Sequence, residues 1–136
     1  MDKRTLRILE FDKVVNKLLN LAASDLGKEI IEELTPETEY SKVKNLLKET
    51  SDGVNFIVKR GSPPLGGIHD IRSSLKRVEL EATLTAGELL KIADVLGACR
   101  NLKNYSAESK VLDEDGNFVK ELISQLYTSK KVEDKI

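Results

Sequence analysis

Apolar residues recur along most of this chain at spacings of three and four, the mark of amphipathic helices, and prolines interrupt the pattern only at Pro36 and at Pro63-Pro64. Thr5 to Phe11 has no clear helical stripe and reads as a short extended start. From Phe11, the positions Phe11, Val14, Val15, Leu18 and Ala22 make one stripe at 3.6 residues per turn, which predicts a first helix. Ser24 or Asp25 caps a second, short helix through Ile30, Ile31 and Leu34, because a short side-chain oxygen accepts from the free N–H groups of a first turn. Pro36 stops it.

A third helix spans roughly Glu39 to Lys59. Its apolar stripe is Val43, Leu46, Leu47, Thr50, Val54, Ile57 and Val58, expected to be buried, with Lys42, Lys44, Asn45, Lys48, Glu49, Ser51 and Asp52 on the solvated side. Gly61-Ser62-Pro63-Pro64-Leu65-Gly66-Gly67 then breaks the periodicity and must be a loop, rigid at its prolines and suited to docking. Ile68, Ile71, Leu75 and Val78 predict a fourth helix starting near Asp70. Thr85-Ala86-Gly87-Glu88 fits a capping box and opens a fifth helix to about Tyr105. That helix is apolar on two sides, with Leu89, Ile92, Ala93, Leu96 and Cys99 on one and Val95, Ala98 and Leu102 towards another, so it needs neighbours on both flanks. Asp113 to Gly116 is a turn signal, and Phe118, Val119, Leu122, Ile123 and Leu126 form a sixth stripe. Lys130 to Ile136 has neither a glycine stop nor a polar tail and reads as a cut in a longer chain.

These elements make an all-α bundle within a single domain, 1–136. It has a first helical block at 1–60, a Pro/Gly loop at 61–67 and a second helical block at 68–136. The 136 residues are enough to bury a core without staples, and a hydrophobic share of 40% belongs to a globular chain. Charge changes the picture only by exclusion: 22 Lys and Arg against 23 Asp and Glu leave a net charge of −1, so no strong overall field draws in nucleic acid or anionic lipid. One cysteine, no apolar run long enough for a membrane span and no apolar leader point to a reducing cytoplasm.

Candidate chemistry is sparse. The Gly-rich loop is not a phosphate cradle, because Pro63 and Pro64 lack N–H donors and Ile68-His69 stands where Lys-Ser/Thr is needed. An EF-hand alignment on Gly116 places Asp113 and Asp115 well but puts Val111 and Leu122 at the first and bidentate ligand positions. His69 and Cys99 are the single histidine and cysteine, too few ligands for a structural zinc. Cys99 falls in an apolar stripe, as inert buried thiols do. No catalytic residue, cofactor-binding residue or metal ligand is expected. Five basic residues flank the loop, Lys59, Arg60, Arg72, Lys76 and Arg77, opposed by Asp70 and Glu79. They are the candidate nucleic-acid contacts, of the salt-dependent, sequence-blind kind. With 4% aromatic residues there is no stacking platform for single strands.

Several stretches together carry a family resemblance. Leu6-Arg7-Ile8-Leu9-Glu10-Phe11-Asp12-Lys13, Ala22-Ala23-Ser24-Asp25-Leu26-Gly27-Lys28, Glu49-Thr50-Ser51-Asp52 and above all Gly61-Ser62-Pro63-Pro64-Leu65-Gly66-Gly67-Ile68-His69-Asp70-Ile71-Arg72 resemble the amino-terminal region of second-type bacterial MutS proteins. These are the MutS paralogues without the mismatch-reading and connector domains. The resemblance runs from about Leu6 to Leu102 and takes in Leu84 to Leu90; Ser-Pro-Pro-Leu-Gly-Gly is its specific part. It implies a multi-helix bundle at the start of the MutS core and lever, in a longer chain that continues into a dimerising ATPase and a carboxy-terminal Smr nuclease domain. Such proteins are implied to be cytoplasmic homodimers that use ATP and Mg, bind DNA junctions, suppress recombination and split collided ribosomes, in contact with ribosomal RNA. None of the ATPase or nuclease motifs stands in these residues, so the fragment is expected to be non-catalytic scaffold, without cofactor of its own, partnered by later segments of its own chain. A free-standing helical interaction module, and a direct nucleic-acid binder, are the competing readings.

Overall fold

The computed structural model describes residues 3–107 and 117–136. Among them the chain forms eight helices and no strand: α1 (Lys3–Ile8), α2 (Phe11–Leu21), α3 (Asp25–Glu32), α4 (Tyr40–Arg60), α5 (Arg72–Glu79), α6 (Ala86–Ala107), α7 (Asn117–Ser124) and α8 (Lys130–Glu133). The all-α architecture expected from periodicity is the one observed. Among the described residues no helix is long and apolar enough to cross a membrane. Contacts divide the chain into two compact units, Met1–Leu46 and Leu47–Ile136, the division falling within α4.

In the first unit the start of the chain corrects the extended reading, since Thr5 to Ile8 are helical. Leu9 N–H donates to the Thr5 carbonyl at 3.0 Å and Glu10 N–H to that of Arg7 at 3.2 Å, so these donors find partners within the turn, with no strand nearby to supply them. Glu10 takes a left-handed conformation, φ 51, and reverses the chain into α2. Phe11, Val15, Leu19 and Ala22 are the half-protected residues of this segment, while Val14 and Leu18 are exposed, so the stripe lies slightly round from the predicted one. Ser24 caps α3 as expected, its Oγ accepting from Gly27 N–H at 3.1 Å. Asp25 pairs with Lys28 at 2.9 Å, which lowers its carboxyl below the usual range. Neither α2 nor α3 has a buried residue.

The second unit holds the core. Phe56 of α4, Leu102 of α6 and Ile123 of α7 are buried together, with Tyr105, Val119 and Leu126 packed against them. The α4 stripe expected to be buried is instead largely exposed: Leu47 is 62%, Val54 55% and Val58 78% accessible. The more protected side of α4 is the row Gly53, Phe56, Arg60, of which Phe56 is buried, and its ring, larger than any Val or Leu of the stripe, packs beside Leu102 and Tyr105 of α6. On α5, Leu75 and Val78 are exposed and Ser74 is the buried residue. The helix closes in a Schellman turn, with Ala82 N–H to the Arg77 carbonyl and Glu81 N–H to the Val78 carbonyl, both at 2.9 Å. Glu81 holds the left-handed position, φ 57, where glycine is usual.

At the start of α6 the predicted capping box is formed. Thr85 N–H donates to Glu88 Oε2 at 2.8 Å and Glu88 N–H returns to Thr85 Oγ1 at 3.3 Å. The two-sided apolar character of α6 is explained by its neighbours, α7 and α8, which both pack on it. Residues after Ser129 supply α8, a helix the sequence pattern does not announce. Glu133 ties it to α6 through Arg100, Nη2 to Oε2 at 3.0 Å and Nε to Oε2 at 3.2 Å.

Candidate functional site

The second half of α4, the Pro/Gly loop, α6 and α7 enclose an apolar groove of roughly 300 Å³. Phe56, Leu102 and Ile123 are its buried lining, Pro63 and Leu65 come from the loop, and Ile57 of α4 and Leu122 of α7 are its more exposed residues. The lining carries no charged or hydrogen-bonding side chain. A groove of this composition recognises aliphatic or aromatic groups by burial alone.

A polar cluster beside the groove fixes its shape. Arg60 lies 4.6 Å from the Phe56 ring centroid and donates through Nη1 to the carbonyls of Tyr105 and Ser106, at 2.8 and 2.7 Å. Those carbonyls belong to the last turn of α6, where no intrahelical donor reaches them. Tyr105 in turn meets Phe56 edge-on, 5.6 Å between centroids at 73°, and donates its hydroxyl to the Gly61 carbonyl at 2.6 Å. Gly61 ends α4 in a left-handed conformation, φ 79. The far end of the loop is anchored on α6 as well. His69 Nε2 lies 3.2 Å from Asp94 Oδ2, and Gly67, φ 82, passes so close that a Cβ there would meet the Asp94 carbonyl at 3.2 Å.

The five basic residues expected to contact nucleic acid are thereby distributed among different tasks. Arg60 is engaged with α6. Arg72 grips Asp70 in a fork, Nε to Oδ1 at 2.9 Å and Nη2 to Oδ2 at 2.6 Å, and this hydrogen bonding, with the Arg72 backbone N–H, lowers the Asp70 carboxyl to about 2. Arg77 donates to Glu88 at 2.7 Å and to the Thr83 carbonyl at 2.8 Å. Lys59 and Lys76 are exposed. Of the two carboxylates that sequence shows as opposing charge, Asp70 is the direct partner of Arg72, whereas Arg77 is held by the capping-box Glu88.

Cys99 is half-buried on α6, and burial pushes its thiol up, away from thiolate chemistry. His69 is partnered by Asp94. Among the described residues no three His, Cys, Asp or Glu side chains cluster as a metal site would need. The acidic stretch Asp113 to Asp115, weighed above against a calcium loop, lies outside the described residues. What the sequence reading missed is Phe56, whose spacing with Gly53, Ile57 and Arg60, at offsets 0, 3, 4 and 7, was the available signal for the groove wall.

No protein-family model matches the chain. Individual relatives do. The chain is 54% identical over all 136 residues to the endonuclease MutS2 of Acetivibrio thermocellus, 52% to that of Ruminiclostridium cellulolyticum and 40% to that of Clostridioides difficile. In each case the whole chain is matched and spans 17% of the length of the relative.

Proposed function

From a chain that corresponds along its full length to the amino-terminal region of a second-type bacterial MutS protein, we propose a scaffold role: the non-catalytic opening part of the core of a homodimeric MutS-type ATPase. The full protein would act on DNA junctions, suppressing recombination, on stalled and collided ribosomes, or on both, with ATP and Mg held by later parts of the chain. In this reading the helices here are rigid elements that pass shape change between a nucleotide-driven dimer and the substrate-binding parts. The observation that carries it is the uninterrupted match of all 136 residues at 54% identity to one end of a much longer protein. The polar groups support it: Asp70, Glu88, Arg60 and Arg100 are spent on helix ends and helix contacts, and the Cys99 thiol is held in its protonated form.

The test has two parts. The reading frame beyond Ile136 is expected to encode a nucleotide-binding Walker loop, and a stop codon there overturns the proposal. The purified 136-residue chain is expected to show neither ATP turnover nor DNA cleavage, and turnover that survives rigorous purification overturns its non-catalytic part. A second reading, a free-standing helical interaction module, is favoured by one feature, the apolar groove walled by Pro63 and Leu65.

A further inference from the structure

Loop 61–67 is a stiff arm between two pivots. Pro63 and Pro64 fix their own φ angles, and Pro63 and Leu65 belong to the groove lining. Gly61 and Gly67, at φ 79 and φ 82, bound the arm in conformations that L side chains rarely adopt. Its two ends are held by different chemistry. At the first, Gly61 N–H donates to the Ile57 carbonyl at 2.7 Å and its own carbonyl accepts from the Tyr105 hydroxyl at 2.6 Å, so the arm starts from a fixed point. At the second, Asp94 meets the chain twice. Its backbone carbonyl is the seat of Gly67, where a Cβ would come within 3.2 Å, and its carboxylate Oδ2 faces His69 Nε2 at 3.2 Å. We propose that the arm is a strap hinged at Gly61 and latched on Asp94, and that protonation of His69 tightens the latch.

Histidine is the side chain whose charge ordinarily changes between pH 5 and 8. A charged imidazole adds an ion pair to the hydrogen bond with Asp94, and a neutral one leaves the hydrogen bond alone. The latch therefore holds more firmly on the acid side of that range and slackens as pH rises through it. The charged groups around it are of types that keep one charge across the range: Asp70, gripped by Arg72 at the start of α5; Lys91, one turn before Asp94 on α6; and Glu88, paired with Arg77. The Cys99 thiol, further along α6, is pushed up by burial, away from the same range. With the His69 and Asp94 side chains 40% and 60% accessible, water screens the pair, and a contribution of this kind changes an equilibrium by up to about fivefold. That is the strength of a latch that lifts and recloses. Lifting it carries Pro63 and Leu65 out of the lining, so a proton on an exposed imidazole governs access to an apolar surface. The inference concerns this loop and α6 and does not rest on the scaffold reading.

Relaxation dispersion of the backbone amides of the 136-residue chain tests it, since lid-type motions fall in the microsecond-to-millisecond window that the method reads. The lifted population, read at Gly66 and Gly67, is expected to rise roughly two- to fivefold between about pH 5.5 and about pH 8. His69→Gln and Asp94→Asn are each expected to show the same population at both pH values, with helical circular dichroism unchanged. Gly67→Ala, whose Cβ meets the Asp94 carbonyl, is expected to raise the population at both, which identifies the motion as loss of the seat. A parent chain whose lifted population stays level or falls as pH rises overturns the proposal. A pH-dependent rise that survives in Asp94→Asn overturns it equally, because the proton then acts elsewhere than at the latch.

Discussion

A few side chains decide where the helices of the larger unit meet. Phe56 is the most deeply buried large side chain of α4 and is the contact between Arg60, Tyr105 and the groove floor. Phe56→Ala is expected to cost about 3 kcal/mol in urea unfolding, the loss of a buried ring and its cavity. A substitution at Glu81 runs the other way. This residue holds a left-handed conformation that L side chains populate at a cost, in a Schellman turn whose hydrogen bonds are made by its backbone. Glu81→Gly is expected to raise stability by about 1 kcal/mol in the same measurement. The sequence concealed both points for related reasons. Phe56 lies off the line of aliphatic residues on α4, and a glutamate followed by alanine is not a helix-stop signal; only the backbone reveals that it acts as one.

Helices α2 to α7 were legible in periodicity and caps, because Ser24, Pro36, the Pro63-Pro64 loop and Thr85 with Glu88 act within a single turn and need no distant partner. What periodicity cannot say is which of two apolar rows on α4 finds a neighbour, and the Val and Leu row that looked like the buried one is the row left in water. The ends failed for the same reason: α1 closes on a left-handed Glu10 and α8 is held by an arginine thirty-three residues away. The capping box offers an element-scale test. The Thr85 N–H and hydroxyl favour the ionised form of Glu88 and lower its carboxyl from the usual range. A lowered folded-state value means the stabilisation is present above the ordinary glutamate range and is lost as pH falls through it. The acid midpoint of α6 is therefore expected to move up in pH in Glu88→Gln, and Thr85→Ala is expected to cost about 1 kcal/mol at neutral pH.

Within the basic set, Arg60, Arg72 and Arg77 hold a helix end and neighbouring carboxylates, and salt dependence separates such work from phosphate contact. If the chain binds duplex DNA, Lys76→Gln is expected to lower the slope of log affinity against log salt by about 1, near 0.9 for a phosphate contact. Replacing Arg60 is expected to disturb the end of α6, seen by circular dichroism, before it changes any such slope.

For the whole molecule, the matched relatives extend far beyond these residues, which span 17% of their length. The two units differ in kind. Leu47–Ile136 has a core of three buried large side chains with their satellites, closed by polar clasps at Arg60 and Arg100. The helices α2 and α3 of Met1–Leu46 bury no residue, and Leu21 and Ile30 are 80% and 67% accessible.

That last contrast sets a rank order in time. Amide protons of α2 and α3 have no packed interior to shield them, so local opening releases them without waiting for the rest of the chain. In deuterated buffer their signals are expected to vanish well before those of Leu96 to Leu102, and uniform decay across both stretches would contradict it. A segment that loosens first gives a protease its starting point, so the lifetime of the chain under proteolysis is governed by its least protected segment.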